Sequence, residues 1–116
     1  MNFKENLKEQ NCILRKSTGF TADGLLGSIA AAIFAPEGYK MTTFLGTAIT
    51  HQILHNLIDH PDEDNIVSTL DKKIPTVPLD GIIATVVAYK SGGLGSALGF
   101  GIVHGPLHNE IAPKNQ

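Results

Sequence analysis

Two short stretches carry most of this chain's capacity for chemistry. Residues 49–56 read ITHQILHN and residues 102–109 read IVHGPLHN, so four of the five histidines stand in two copies of His-x-x-x-His-Asn. The residues are His51, His55 and Asn56, then His104, His108 and Asn109. Histidines four apart on a helix share one face, one turn apart. Upstream of each copy an Asp-Gly pair, Asp23-Gly24 and Asp80-Gly81, opens an apolar stretch. Two carboxylates and four imidazoles form a ligand inventory for zinc, iron or another first-row divalent ion. The asparagines would then orient ligands from a second layer. The same residues have another explanation. Asp before an apolar helix is a good N-cap, His in a last turn complements the helix dipole, and Asn is an acceptable C-cap. Both readings stay open on sequence alone, although capping explains the paired histidines less well than it explains Asp and Asn.

The two copies belong to a longer duplication. Sliding residues 44–58 (FLGTAITHQILHNLI) by 53 positions onto 97–111 (ALGFGIVHGPLHNEI) matches eight of fifteen residues. Upstream, ADGLLGSIAA (22–31) aligns with LDGIIATVVA (79–88) at an offset of 57. The change of offset falls at PEGYK and KSGG, where loop length varies freely. Each unit therefore reads as Asp-Gly, an apolar helix, a Gly-containing turn, and a second apolar helix ending in His-x-x-x-His-Asn.

These residues need helices to position them. The Ala-rich stretch GLLGSIAAAIFA lacks period-2 alternation and predicts a helix; GIIATVVAY would pass for a strand alone but follows its partner. The expected fold is all-α: a four-helix bundle of two tandem helical hairpins in a single domain spanning 1–116. Helices are expected over about 21–35, 41–58, 79–90 and 93–109, with hairpins spanning 21–58 and 79–111. A charged N-terminal segment (1–18) offers a short surface helix at 3–16, and residues 59–78 form an acidic, Pro-containing linker. Its prolines 61, 75 and 78 forbid one continuous helix. Pro106 is expected to kink the last helix.

Short-turn hairpins pack antiparallel, so Asp23 should lie beside His51 and His55, and Asp80 beside His104 and His108. With the units in parallel about a pseudo-twofold axis, all six would collect at one end of the bundle. Asp59, His60 and Asp62, directly after the second helix, are weaker candidates for the same end.

Composition limits the function classes. A formal net charge of −2 leaves no basic field for nucleic acid, and the lone Cys12 excludes an intramolecular disulfide and a four-cysteine zinc site. No secretory signal opens the chain. Charged residues are scarce: 18 uncharged residues separate Lys40 from Asp59, and 19 separate Lys90 from Glu110. Those runs approach a bilayer span, and Gly95-x-x-x-Gly99 with Gly101 offers a face for close helix packing in lipid. The expectation is a membrane protein with its basic N-terminus cytoplasmic, self-associating through these glycines; a soluble cytoplasmic bundle buried by oligomerisation is the alternative. If the histidines bind no metal, the alternative function is a non-enzymatic membrane component, a pore-forming, virion or scaffold protein assembled through the glycine faces.

TADGLLGSIAAAIFA (21–35) and IDHP (58–61) resemble pieces of the LexA-binding, inner-membrane metal-dependent hydrolase family. Asp23-Gly24 matches the family's opening helix and Asp59-His60-Pro61 its acidic stretch, while Gly99-Phe100, His104, His108 and Pro113 loosely match its last helix. Leu25 replaces a family histidine, and the central His-Arg-Gly-x-x-His-Ser motif is missing. The resemblance implies a membrane metalloprotein whose hydrolase activity has been lost or altered.

Other chemistries find no support. SGGLGSALGFG has no lysine after its glycines, no nucleophile elbow is present, and haem ligation by His51 or His104 would lack an attachment motif. No general base stands out apart from Glu110 and the acidic linker, and no substrate is indicated.

Overall fold

The computed structural model describes residues 2–58, 65–74 and 77–111, and its elements there are all helices. In order these are α1 (Phe3–Thr18), α2 (Ala22–Ile33), α3 (Lys40–Ile58), α4 (Ile66–Lys73), α5 (Leu79–Gly92) and α6 (Leu94–Ile111). The expected four helices correspond to α2, α3, α5 and α6 within a few residues. Two more correct the four-helix count: α1 is the charged N-terminal segment, and α4 lies in the linker. α4 forms because Asn65 caps it, its side chain accepting from the Ser68 N–H, in a stretch free of proline. α6 continues as a helix through Pro106.

α2, α3, α5 and α6 form a closed ring, α2 against α3 and α6, α5 against α6 and α3. The broadest packing is between units, α2 on α6 and α3 on α5. Small residues allow the close approach. A Cβ on Gly99 would stand 3.1 Å from the Ala30 carbonyl oxygen, and the Ser96 hydroxyl donates to the Ala31 carbonyl at 2.7 Å. Among the described residues Ala31, Ala84, Ala88 and Phe100 form a buried apolar cluster, and Thr43, Thr47, Ser28 and Ser96 are buried with them. Many large aliphatic side chains, Leu45, Ile49, Leu98 and Ile102 among them, face outward.

The membrane expectation is overturned: among the described residues no helix is long and apolar enough to cross a membrane. α2 and α5 have 12 and 14 residues. At 1.5 Å per residue they reach roughly 18 and 21 Å, against a hydrocarbon core of about 30 Å. α3 and α6 have the length, with 19 and 18 residues, but threonines, Gln52, glycines and the histidines dilute their hydropathy. The charge-free runs turn polar residues inward, Thr43, Thr47, His51 and Gln52 among them, rather than presenting an apolar surface all round.

Candidate metal centre

α2 and α5 begin in the same way, each with its aspartate in the first turn rather than at the cap. Thr21 and Pro78 hold the N-cap positions, and neither makes a side-chain cap bond. The free N–H groups are met from other helices: Ala22 donates to Asn11 of α1 at 2.7 Å, and Leu79 to Asp71 of α4 at 2.8 Å. The Asp23 Oδ1 accepts from the Gly24 N–H at 2.9 Å, and the Asp80 Oδ1 from the Gly81 N–H at 2.8 Å. Each carboxylate is thereby oriented by one oxygen and left with Oδ2 facing the bundle interior. The positive end of each helix dipole supports the negative charge there. The simple capping explanation for Asp23 and Asp80 does not hold.

The glycine after each aspartate makes room for a histidine. A Cβ on Gly24 would overlap the His51 ring, and one on Gly81 would stand 2.6 Å from the His104 Cε1. Each ring therefore lies directly on the backbone of the other helix in its own hairpin. Phe100 stacks on His104, with centroids 5.1 Å apart and planes 14° from parallel.

The two rings meet at their Nε2 atoms, 2.9 Å apart. His51 Nε2 lies 3.2 Å from Asp80 Oδ2 and 3.9 Å from Asp23 Oδ2, while His104 Nε2 lies 3.3 Å from Asp23 Oδ2. His55, one turn on, places Nδ1 3.3 Å from Asp80 Oδ2. His51, His104, Asp23 and Asp80 are each less than 5% exposed. Two sets, Asp23 with His51 and His104, and His51 with His55 and Asp80, bring their ligand atoms close enough to hold a metal ion.

Burial alone would raise the two aspartates. The hydrogen bond and charge of His104 and the charge of His51 outweigh it for Asp23 and hold that carboxyl well below the usual range. For Asp80, hydrogen bonds from His51 and His55 have the same effect. Burial pushes His108 below its ordinary 6.5, against the raising influence of Asp23 and Asp80. Among the described residues, Nδ1 of His51 and Nδ1 of His108 are buried with no hydrogen-bond partner.

Five of the six residues singled out by sequence thus converge, and His108 stands beside them, its ring 5.4 Å from that of His104. Asn56 joins the surround: its Oδ1 accepts from Gln52 at 2.9 Å and from Arg15 at 3.2 Å. Asn109 is exposed. Asp59, His60 and Asp62 lie outside the described residues. Sequence reasoning missed Gly24 and Gly81 as part of the site, although their repetition beside Asp was the available signal. It also missed Arg15, Asn11 and Gln52, each a single polar residue that no repeat picks out.

Compared with known proteins, the chain matches no family model, no curated protein and no solved structure.

Proposed function

We propose that this chain is a small helical metal-binding protein whose ion is held by Asp23, His51, Asp80 and His104. The carrying observation is the contact between the two Nε2 atoms with a carboxylate oxygen beside each. Hydrogens alone satisfy it poorly. With one on each Nε2, each N–H can donate to the carboxylate beside it, but the two nitrogens are left 2.9 Å apart with no hydrogen between them. With one shared between them, the accepting nitrogen has no hydrogen left for the carboxylate oxygen beside it. Whether His51 is doubly protonated or holds an ion through Nε2, its Nδ1 carries a hydrogen that meets no acceptor, so that atom favours neither state. A divalent cation makes every one of these contacts attractive and neutralises two buried carboxylates that are otherwise costly.

A tetrahedral ion with bonds of about 2.0–2.1 Å sets its ligand atoms about 3.3 Å apart. Of the six separations among these four residues, four run from 2.9 to 3.9 Å. Asp23, His51 and His104 form a set whose ligand atoms all lie within 4.8 Å of one another, and Asp80 reaches that set through His51. Two imidazoles with two carboxylates suit zinc or iron. If the family resemblance extends to chemistry, that ion would activate a bound water for hydrolysis. The test is metal content by mass spectrometry on protein purified without a histidine tag, beside the His51→Ala/His104→Ala variant. Near-stoichiometric metal that disappears in the variant supports the reading; a metal-free wild type, after incubation with zinc or ferrous ion, refutes it.

A second reading concerns assembly and rests on a different observation. Ala30, Phe34, Gly95, Leu98, Gly99 and Ile102 line a groove of about 330 Å³ between α2 and α6, and Leu98 and Ile102 rise beside it, 55% and 70% exposed. We propose that a second copy of the chain docks there, ridge into groove, as a twofold interface requires. Gly99 lies against Ala30 within one chain, so it cannot test assembly cleanly. Leu98→Glu/Ile102→Glu can: light scattering should show the wild type as a dimer or larger and the variant as a monomer.

A further inference from the structure

His55 and His108 hold equivalent places in the two copies of the pattern, yet their surroundings differ. His55 Nε2 lies 3.3 Å from an Arg15 guanidinium nitrogen, and its Nδ1 lies 3.3 Å from Asp80 Oδ2. A guanidinium only donates, so His55 Nε2 is the acceptor and the ring's hydrogen is on Nδ1, donated to Asp80. A His55 that bound metal through Nδ1 would carry its hydrogen on Nε2, and that N–H would point at the Arg15 N–H. The arginine therefore argues against His55 as a ligand, although its atoms are close enough for one.

Arg15 is itself anchored. It donates to Asn56 Oδ1 at 3.2 Å; Asn56 also receives Gln52 Nε2 at 2.9 Å, and Gln52 Oε1 receives the Thr21 N–H at 2.9 Å. One branch thus runs from Arg15 through His55 to Asp80, and another through Asn56 and Gln52 to the start of α2, two residues before Asp23. α1 has no buried residue, so it contributes little to the core. Its polar side chains, Asn11 and Arg15, reach the ends of the helices that carry the candidate ligands.

We infer that Arg15 and His55 are positioning residues: Arg15 fixes the His55 tautomer, and His55 in turn aims the Asp80 carboxylate at the ion. The two His-x-x-x-His copies then contribute one ligand each, His51 and His104. This rests on the metal reading above. Outer partners of this kind typically govern metal affinity by about 10–100-fold without changing the number of ions bound.

The experiment pairs two readouts. Zinc affinity is measured by competition with a chromogenic chelator for wild type, Arg15→Ala, Arg15→Lys and His55→Ala. The His55 tautomer is read separately from its ring ¹⁵N shifts in metal-free protein. The expected result is an Nδ1–H tautomer in wild type that becomes mixed in Arg15→Ala. With it should come about 10–100-fold weaker zinc binding at unchanged stoichiometry in Arg15→Ala and His55→Ala. Arg15→Lys, which also only donates, should restore most of both. An Nε2–H tautomer in wild type, unchanged affinity in Arg15→Ala, or loss of the ion's stoichiometric binding in His55→Ala would each overturn the inference. A wild type that takes up no zinc overturns the metal reading itself, and its stoichiometry reports that apart from the variants.

Discussion

The inner and outer histidines of the two copies behave differently, and the contrast separates what a repeat preserves from what it releases. His51 and His104 are treated alike: each lies on the glycine of its own hairpin and presents Nε2 to the other. His55 and His108 are not. His55 is held at both nitrogens, by Asp80 and Arg15, whereas His108 Nδ1 is buried with no hydrogen-bond partner. A position that needs its twin to form one centre is constrained in both copies at once. A position one turn further out answers to its own neighbours, and among the described residues Arg15 of α1 reaches the first copy, at His55 and Asn56.

The most damaging change to the shared inner arrangement is at the glycines. Gly24→Ala and Gly81→Ala place a methyl into an imidazole that has a backbone behind it, and overpacking of this kind costs about 1–3 kcal/mol. The prediction is a lower urea midpoint in both variants and loss of bound metal, with the two effects similar in size. A large effect in one and none in the other would mean that the inner positions are no more equivalent than the outer ones.

Next come the histidines themselves. His51→Ala and His104→Ala should each abolish stoichiometric zinc, because either removes a shared ligand. At the outer positions His108→Ala should change zinc affinity by less than about threefold, well under the range expected of an outer partner that orients a ligand. Equal losses on removing His55 and His108 would dissolve the contrast and return both rings to a single role.

Much of this arrangement could be read in advance. The repeated sequence pattern located the four principal helices and the residues that meet, because the same polar residues recurring in otherwise dissimilar helices are conspicuous. Which histidine plays which part could not be read, since that depends on Arg15, a lone residue some 40 positions away whose reach is set by how α1 lies on the bundle. The membrane reading failed for a related reason. Hydropathy counts threonine, glycine and histidine without asking which way they point, and here Thr43, Thr47 and the inner rings all face inward.

Acid should weaken the metal-free chain, and the sign follows from the shifts. Asp23 and Asp80 ionise below their ordinary 3.8 when folded. The unfolded chain therefore binds protons first as pH falls through about 4, and stability present above that value is lost below it. His108 ionises below 6.5 when folded, so its contribution is complete above 6.5 and declines on acidification beneath it. Urea denaturation in chelator should give midpoints falling from about pH 7.5 to 5.5 and again to 3.5. The first step should shrink in His108→Ala; a midpoint that rises on acidification would contradict the buried-carboxylate geometry.

The smallest effect tests the glycines of α6 against one another. Gly95 and Gly99 face α2, whereas a Cβ on Gly101 or Gly105 would meet nothing within 4 Å. Glycine in a helix interior costs about 0.5–1 kcal/mol relative to alanine. Gly101→Ala should therefore raise stability by about that amount and leave metal binding unchanged, while Gly99→Ala presses on the Ala30 carbonyl and lowers it. If Gly101→Ala destabilises instead, something packs on that face that a single chain does not supply. The second copy proposed to dock beside Leu98 and Ile102 would then be the first candidate, since Gly101 lies between them on the same helix. The concentration dependence of the loss would decide it, because a contact between copies weakens on dilution and a strain within one chain does not.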